Sequence, residues 1–474
     1  MNILMLTNTY LPHVGGVARS VQAFTEEFRR QGHRVLVVAP QFDGMPENET
    51  DVVRVPAIQN FNGSDFSVRL PIPGFLETAL RDFRPDVVHS HHSFLLGDTA
   101  IRIAASFNVP LVFTHHTMYE QYTHYVPGDS TALRRFVIDL TLGYTNLCDR
   151  VIAPSESVAA VLKQRGVLTP LEVVPTGVDA EAFSQGDRTG FRRQLGIPDE
   201  AFVVGHLGRL APEKNLPFLA SAVALYLRKN RRAHFLVVGS GPSEDDIRRA
   251  FPGRLGERLH LAGKRQGQEL IDAYHAMDVF AFASQSETQG MVLTEAMAAG
   301  VPVVAVDAPG AREVVEDGVN GRLLPSENER SFAAALHWVQ RQPAEKRPAM
   351  KAAALETAER FSMPRTAARA IAIYRSLVEV EGRHKQTSDG GWETASRMIE
   401  VEWELWSNLA HAARASFPKR HLLGIPVFGR LLFGWRRFRR WISRSEWSAT
   451  LLRLPRSRTS RTQNPRSPSC LQQW

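Results

Sequence analysis

Short apolar runs, each closed by a turn of Gly, Pro or Ser and followed by an amphipathic helix, recur along most of the chain, and this alternation restricts the fold more than any other feature. In the first half it predicts strands at Asn2–Thr7, Arg34–Pro40, Val52–Pro56, Val87–Ser90, Leu111–Thr114, Arg150–Ala153 and Leu171–Pro175, with helices such as Ser20–Gln31 and Thr131–Cys148 between them. Short strands separated by longer helices indicate parallel βαβ units with helices on both faces of the sheet. A polar stretch, Ser184–Gly196, breaks the rhythm. It resumes at Ala201–Gly205 and continues through strands near His234–Val238, Leu259–Ala262, Val279–Ala283, Val301–Val306 and Gly321–Leu324. The expected fold class is α/β, with two doubly wound, Rossmann-like domains facing a cleft, residues 1–185 and 186–365. A crossing helix over 366–382 and a basic, Trp/Arg-rich extension over 383–474, partly disordered, would follow. A chain of 474 residues is too long for a single core.

Ligands of such sheets bind beyond the carboxyl ends of the strands, so the loops after the strands are where chemistry is expected. Residues 284–305 read SQSETQGMVLTEAMAAGVPVVA, a polar turn holding Glu287, a short helix carrying Glu295 and Gly300, then an apolar strand beginning at Val301. Glu287 and Glu295 are eight apart, which at about 3.6 residues per turn places them on roughly one helix face. The amides of Thr288, Gln289, Gly290 and Met291 would point out of the helix N-terminus, a site for a phosphate or sugar oxygen. An anion site beside two carboxylates fits a nucleotide sugar; the plainer reading is a βαβ unit with two exposed glutamates. The segment resembles the E-x7-E signature of the retaining glycosyltransferases of family 4, here Glu287 and Glu295 followed by AMAAGVPVVA.

Other loops extend that resemblance across residues 1–380. After the first strand, TYLPHVGGVARS holds Gly15 and Gly16 before a helix, where glycine permits positive φ and close approach to a ligand. The loop lacks a G-x-G-x-x-G fingerprint and a Walker lysine, which disfavours a dinucleotide or ATP. It resembles the glycine loop of family 4. After Leu111–Thr114 comes THHTMYEQYTHY, with His115, His116 and His124. A zinc site is disfavoured, because no Cys, Asp or paired His at helical spacing completes it. His116 followed by Thr117 matches the histidine of the family's H-T loop. His115 and His124 are read as satisfied by neighbouring carbonyls. The longer stretch THHTMYEQYTHYVP resembles the bacterial branch that glycosylates diacylglycerol, which puts Tyr119 and Tyr122 on the acceptor side. GRLAPEKNL supplies Arg209 and Lys214, an R-x4-K pattern in which two cations could neutralise a departing diphosphate. VVGSGP (237–242) and LAGKRQGQEL (261–270) look like loops framing base and ribose.

The resemblance implies transfer of a hexose, with retention, from a nucleotide-diphosphate sugar, a UDP-sugar being favoured. It implies catalytic roles for His116, Arg209, Lys214 and Glu287, and donor binding by Gly16, Gly290, Met291, Val292 and Glu295. No metal and no cofactor are expected, since no D-x-D motif with following ligand residues occurs. Transfer to a polysaccharide, or of mannose from GDP-mannose to phosphatidylinositol, is the main alternative. A sugar-nucleotide epimerase and a non-enzymatic binding module are remoter ones.

Charge bears on the acceptor. From His411 to Trp474 there are fourteen Lys/Arg against one acid, Glu446, which is +13; the whole chain is +8, so residues 1–410 carry 8 − 13 = −5. Within that tail HLLGIPVFGRLLFGWRRFRRWISRSEW (421–447) interleaves arginines with aromatic residues, as segments lying on anionic headgroups do. With the basic helix pattern ALRRFVIDLTLGY, it favours a lipid acceptor, most simply diacylglycerol, at an anionic membrane surface. Nucleic acid binding is the lesser reading. Only Cys148 and Cys470 occur, and neither a leader nor a span of about 18 apolar residues is evident, so a cytoplasmic enzyme peripheral to the inner face of the membrane is expected.

Overall fold

The computed structural model describes residues 1–13, 15–58, 68–69, 76–121, 123, 130–385 and 391–416. The first domain holds strands β1 (Asn2–Leu6), β2 (Arg34–Pro40), β3 (Val52–Val55), β4 (Ala57–Ile58), β5 (Val68–Arg69), β6 (Val87–Ser90), β7 (Leu111–Thr114), β8 (Arg150–Ala153) and β9 (Leu171–Val173). Seven of them form a parallel sheet in the order β3-β2-β1-β6-β7-β8-β9, and β4 pairs with β5 as a separate antiparallel ribbon. The second domain holds β10 (Phe202–Leu207), β11 (Ala233–Val238), β12 (Leu259–Leu261), β13 (Val279–Phe282), β14 (Val303–Val306) and β15 (Gly321–Leu324). They form a six-stranded parallel sheet, β12-β11-β10-β13-β14-β15.

Both sheets are buried on both faces, which is why their strands read as unbroken apolar runs. In β1, Ile3 and Met5 join Val21, Phe24 and Phe28 in one core cluster, while Leu4 and Leu6 face Leu96, Ala100 and Ile101 in another. In β13, Phe280 and Phe282 face Leu293 and Met297, while Val279 and Ala281 face Leu219 and Val223. Each fully buried side chain of this kind contributes about 1.5–3 kcal/mol. Strand order reverses between β1 and β6 and again between β10 and β13, so each sheet has a switch point where a crevice opens at the carboxyl ends.

Three features depart from the sequence reading. The polar stretch 184–196 is not a simple break, because it contains the helix Arg188–Gln194. Arg192 of that helix is fully buried, its guanidinium donating to the carbonyls of Ala276 (2.9 Å), Asp199 (2.9 Å) and Ala201 (2.9 Å) and to Asp278 Oδ2 (2.8 Å). The crossing helix is longer than expected, Met363–Lys385, and lays Ala367, Ala370, Ile371 and Tyr374 against Val21 and Phe28 of the first domain. Beyond it the extension begins with a long helix, Gly391–Ser416, packed on the first domain through Val401 and Leu405. Glu402 pairs with Arg102, with Nη2 to Oε2 at 3.1 Å, and Asn408 donates to the Leu140 carbonyl at 3.0 Å. This helix is not basic: it has Glu393, Glu400, Glu402 and Glu404 against Arg397 and Arg414. The Arg-rich segment 421–447 and the final residues lie outside the described residues.

The chain leaves the first domain near Gly177 and returns at Met363, and the two crossings touch. Val178 donates to the Phe361 carbonyl at 2.9 Å and accepts from the Met363 amide at 2.9 Å. A Cβ on Gly177 would collide with Met363 Cα and Thr366 Oγ1. Gly177→Ala is therefore expected to cost about 1–3 kcal/mol by overpacking. Calorimetry should register this as a fall in Tm of about 2–10 °C; an unchanged Tm would show that the crossing has slack.

Candidate active site

The expected site residues follow strands at or next to the two switch points, β7 lying one strand beyond the first of them. β1 leads into the loop ending at Gly15 and Gly16, β6 into His91 and His92, β7 into His115 and His116, β10 into Arg209 to Lys214, and β13 into the turn Ser284–Gly290.

Glu287 stands in the turn, as the sequence predicts, and Glu295 on the helix. The helix itself runs Met291–Ala298 and is capped by Gly290 in the left-handed region (φ 75°), a conformation that costs glycine little. That kink corrects the single-face placement of the two carboxylates: Glu287 comes before it and Glu295 after. It also moves the helix N-terminus, so Met291 and Val292, both half-buried, supply its leading amides rather than Thr288 and Gln289. Glu287 is ion-paired with Lys214, which ends the 3-10 turn Pro212–Lys214. Arg209 lies five residues earlier in the same loop and is exposed.

Glu295 is 7% exposed. It accepts from Tyr274 Oη on Oε2 at 2.7 Å and from Arg19 Nη1 on Oε1 at 3.3 Å. Burial raises its pKa above the ordinary carboxylate value, and the Arg19 charge and the Tyr274 hydrogen bond oppose that shift. Arg19 belongs to the helix Gly16–Arg30 of the first domain, so this ion pair joins the two domains. Gly15, the residue before that helix, is extended (φ −163°), and Gly16 takes no positive φ. The loop therefore uses its glycines for room rather than for positive φ: a Cβ at Gly16 would meet nothing within 4 Å.

Further contacts press the Glu287 turn onto the first domain. Thr288 Oγ1 donates to the His116 carbonyl at 2.9 Å, and Ser155 Oγ donates to the Thr288 carbonyl at 2.7 Å. Gln289 makes a two-way pair with the Thr176 backbone, donating to its carbonyl at 2.6 Å and accepting from its amide at 2.7 Å. His116 Nε2 is hydrogen-bonded to His91 Nδ1 at 2.9 Å. Tyr119 packs edge-on against Phe94, with centroids 4.9 Å apart. Tyr122 and His124 lie outside the described residues. His115 is buried with Nδ1 lacking a partner, so the expectation that carbonyls satisfy it fails for that atom; burial depresses its pKa to about 4. A groove of about 700 Å³ lined by Arg81, Arg84, Asp86, Arg102, Val109 and Met398 lies elsewhere: Asp86 and Val109 precede β6 and β7, at the opposite ends of those strands.

The structure thus gathers His116, Lys214, Glu287 and Glu295 along one seam between the domains. The sequence profile of Glycosyltransferase Family 4 matches residues 14–182, and that of Glycosyl transferases group 1 matches residues 201–342. The chain is 31% identical over 343 residues to the alpha-monoglucosyldiacylglycerol synthase of Streptococcus pneumoniae, covering 70% of this chain and 77% of that protein. The chain belongs to glycosyltransferase family 4. This glycosyltransferase is also 32% identical over 332 residues to a GDP-mannose-dependent alpha-mannosyltransferase of Mycobacterium tuberculosis, covering 69% of this chain and 84% of the relative. Among solved structures it resembles Anabaena HepE in complex with UDP and glucose, with a TM-score of 0.62 and 24% identity over 80% of this chain and all of that one. The shared architecture is the two-domain GT-B fold, and the enzyme is a hexosyltransferase.

Several residues of the seam escaped sequence reading. Arg19 stands three residues after Gly16, within GGVARS, and was available from that spacing. His91 directly follows β6, and the signal for it is that position alone, since a parallel sheet gathers its trailing loops at one edge. Tyr274 sits in LIDAYHAMD, where nothing separates it from an ordinary core aromatic.

Proposed function

We propose that this glycosyltransferase moves a hexose from a UDP-sugar to a membrane lipid, most simply diacylglycerol, with retention at the anomeric carbon and without a metal. The observation that carries the reading is the Lys214–Glu287 pair, set in the turn that opens the glutamate helix and joined across the seam to His116 through Thr288. Lys214 and Glu287 hold opposite charges where a diphosphate and a sugar meet. Lys214, Arg209 and the amides of Met291 and Val292 stabilise negative charge on the leaving phosphate. Glu287 accepts from hydroxyls of the donor sugar, His116 approaches the same sugar, Glu295 holds the ribose, and Gly16 leaves room for the donor phosphate. Tyr119 and Tyr122 belong to the acceptor side. As the bond from the anomeric carbon to phosphate oxygen breaks, the acceptor oxygen bonds on the same face. The acceptor proton passes to the departing phosphate, so no side chain is needed as base or nucleophile.

The acceptor rests on two supports. One is the similarity to synthases named for a glucosylated diacylglycerol. The other is the Arg/Trp-rich segment 421–447, whose composition fits an anionic lipid surface on the cytoplasmic side. Among the described residues no helix is long and apolar enough to cross a membrane. The second reading is mannosyl transfer from GDP-mannose, supported by the mycobacterial and corynebacterial relatives.

The test is incubation of the full chain with diacylglycerol in anionic vesicles and UDP-glucose, UDP-galactose, UDP-glucuronate or GDP-mannose, each with and without EDTA. An α-linked glycosyl-diacylglycerol from a UDP-sugar, formed equally in EDTA, is the expected product. A product from GDP-mannose alone transfers the assignment to the second reading, and loss of turnover in EDTA removes the metal-free step.

A further inference from the structure

β6 and β7 run side by side with Ser90 opposite Phe113, so His91, one residue past β6, and His116, two residues past β7, come together. Their rings are stacked at 23° with centroids 5.2 Å apart, bridged by the 2.9 Å bond from His91 Nδ1 to His116 Nε2. His91 is 1% exposed, and its amide is tied to the Leu6 carbonyl at 3.0 Å. The His89 ring also packs against it, centroids 4.1 Å apart. His89 is itself bonded to Thr114 Oγ1 at 2.7 Å and to Tyr374 Oη of the crossing helix at 2.6 Å. His91 therefore stands in a fixed place. His116 is half-buried at the seam, where its carbonyl receives Thr288.

Burial drives the pKa of both imidazoles well below the ordinary histidine value, so both are neutral and a single proton lies between them. A neutral imidazole has one N–H donor and one lone-pair acceptor. His91 Nε2 is buried and has no partner. If His91 donates from Nδ1, that orphan atom is an unsatisfied lone pair. If His91 accepts at Nδ1, the orphan is an N–H sealed from every acceptor, the rarer of the two faults in folded proteins.

We propose that His91 is a positioning residue that donates from Nδ1 to His116 Nε2 and so presents His116 to the seam as an Nδ1–H donor. With its lone pair engaged by His91, His116 offers a sugar oxygen a hydrogen bond and does not serve as a base. This agrees with a reaction in which the leaving phosphate takes the acceptor proton. The catalytic consequence rests on the function proposed above, whereas the tautomer does not.

Long-range proton–nitrogen correlation spectra of the full chain labelled with 15N-histidine read the tautomer directly, with His116→Gln assigning the signal. His116 is expected as the Nδ1–H form. In His91→Phe it should revert to the Nε2–H form that free imidazole prefers, with kcat for UDP-glucose and diacylglycerol lower by about ten- to 100-fold and KM for the donor within about twofold. In His91→Asn, whose amide reaches the Nδ1 position, tautomer and most of kcat should return. An Nε2–H His116 in the unaltered enzyme overturns the proposal, as does a folded His91→Phe with unchanged tautomer and kcat. If His91→Phe does not fold, the spectrum of the unaltered enzyme still decides. If the proposed substrates are not turned over, the tautomer result stands and only the substrate reading fails.

Discussion

Replacement of Lys214 by alanine is expected to lower kcat about 10²- to 10³-fold, the usual cost of removing one preorganised group that faces developing negative charge. Two effects act together. The cation is gone, and the Glu287 carboxylate it had been paired with is left beside the phosphate. Stability should respond far less. The two side chains are 21% and 18% exposed, so water still reaches Glu287, and a pair of this kind contributes about 1 kcal/mol or less. A large drop in turnover with a nearly constant Tm would thus separate a reacting-site cation from a structural ion pair. Adding Glu287→Gln to Lys214→Ala removes the stranded charge and should recover part of the loss in donor binding but not in kcat. Equal losses of Tm and activity in Lys214→Ala would sink the assigned role.

Arg192→Met is expected to produce the largest loss of stability, about 3–5 kcal/mol, typical of removing one partner from a buried charged network. Asp278 keeps partners in this variant, since Arg188 donates to its Oδ1 at 2.6 Å and the Val203 amide to its Oδ2 at 2.7 Å. The cost falls instead on three carbonyls, those of Ala276, Asp199 and Ala201, which lose their donor inside the fold. Arg192→Lys should rescue little, because one ammonium cannot reproduce a planar fork aimed in three directions. Denaturant titration followed by tryptophan fluorescence and by circular dichroism would measure the shift. Since Asp278 immediately precedes β13, the damage is at the strand end remote from the seam, and folded Arg192→Met should keep its donor affinity.

The strands were legible because burial on both faces leaves an apolar run with polar turns at its ends. Val87–Ser90, Leu111–Thr114, Arg150–Ala153 and Gly321–Leu324 have the bounds read from the sequence. The placement of Lys214 and Glu287 in loops after strand ends was legible for the same reason, since a parallel sheet gathers its trailing loops at one edge. Pairings were not. Nothing local in the sequence joins Arg19 to Glu295 or His91 to His116, because each pair is made by strands and helices meeting across the fold. The helix-face argument for Glu287 failed at one residue: Gly290 takes a left-handed turn that a periodicity count does not see. Arg192 lies in a stretch that reads only as polar; an arginine is seldom fully buried, and the carbonyls converging on it are what offset the burial here. The helix Gly391–Ser416 was hidden by the arginines that follow it, whose charge is opposite to its own.

The paired crossings at Gly177 and Met363 act as a door hinge. A slab attached along one line turns about that line, and displacement grows with distance from the pin. Thr176 is next to the pin, so its clasp with Gln289 would scarcely stretch as the door swings. Arg19 is close to the pin as well, because the neighbouring Ser20 is hydrogen-bonded through Oγ to Thr176 Oγ1 at 2.6 Å, so the bond from Arg19 to Glu295 would also stretch little. A ligand wedged into the seam would then leave both clasps in place and open the gap most at the points farthest from Gly177, where the lever arm rather than bond strength decides.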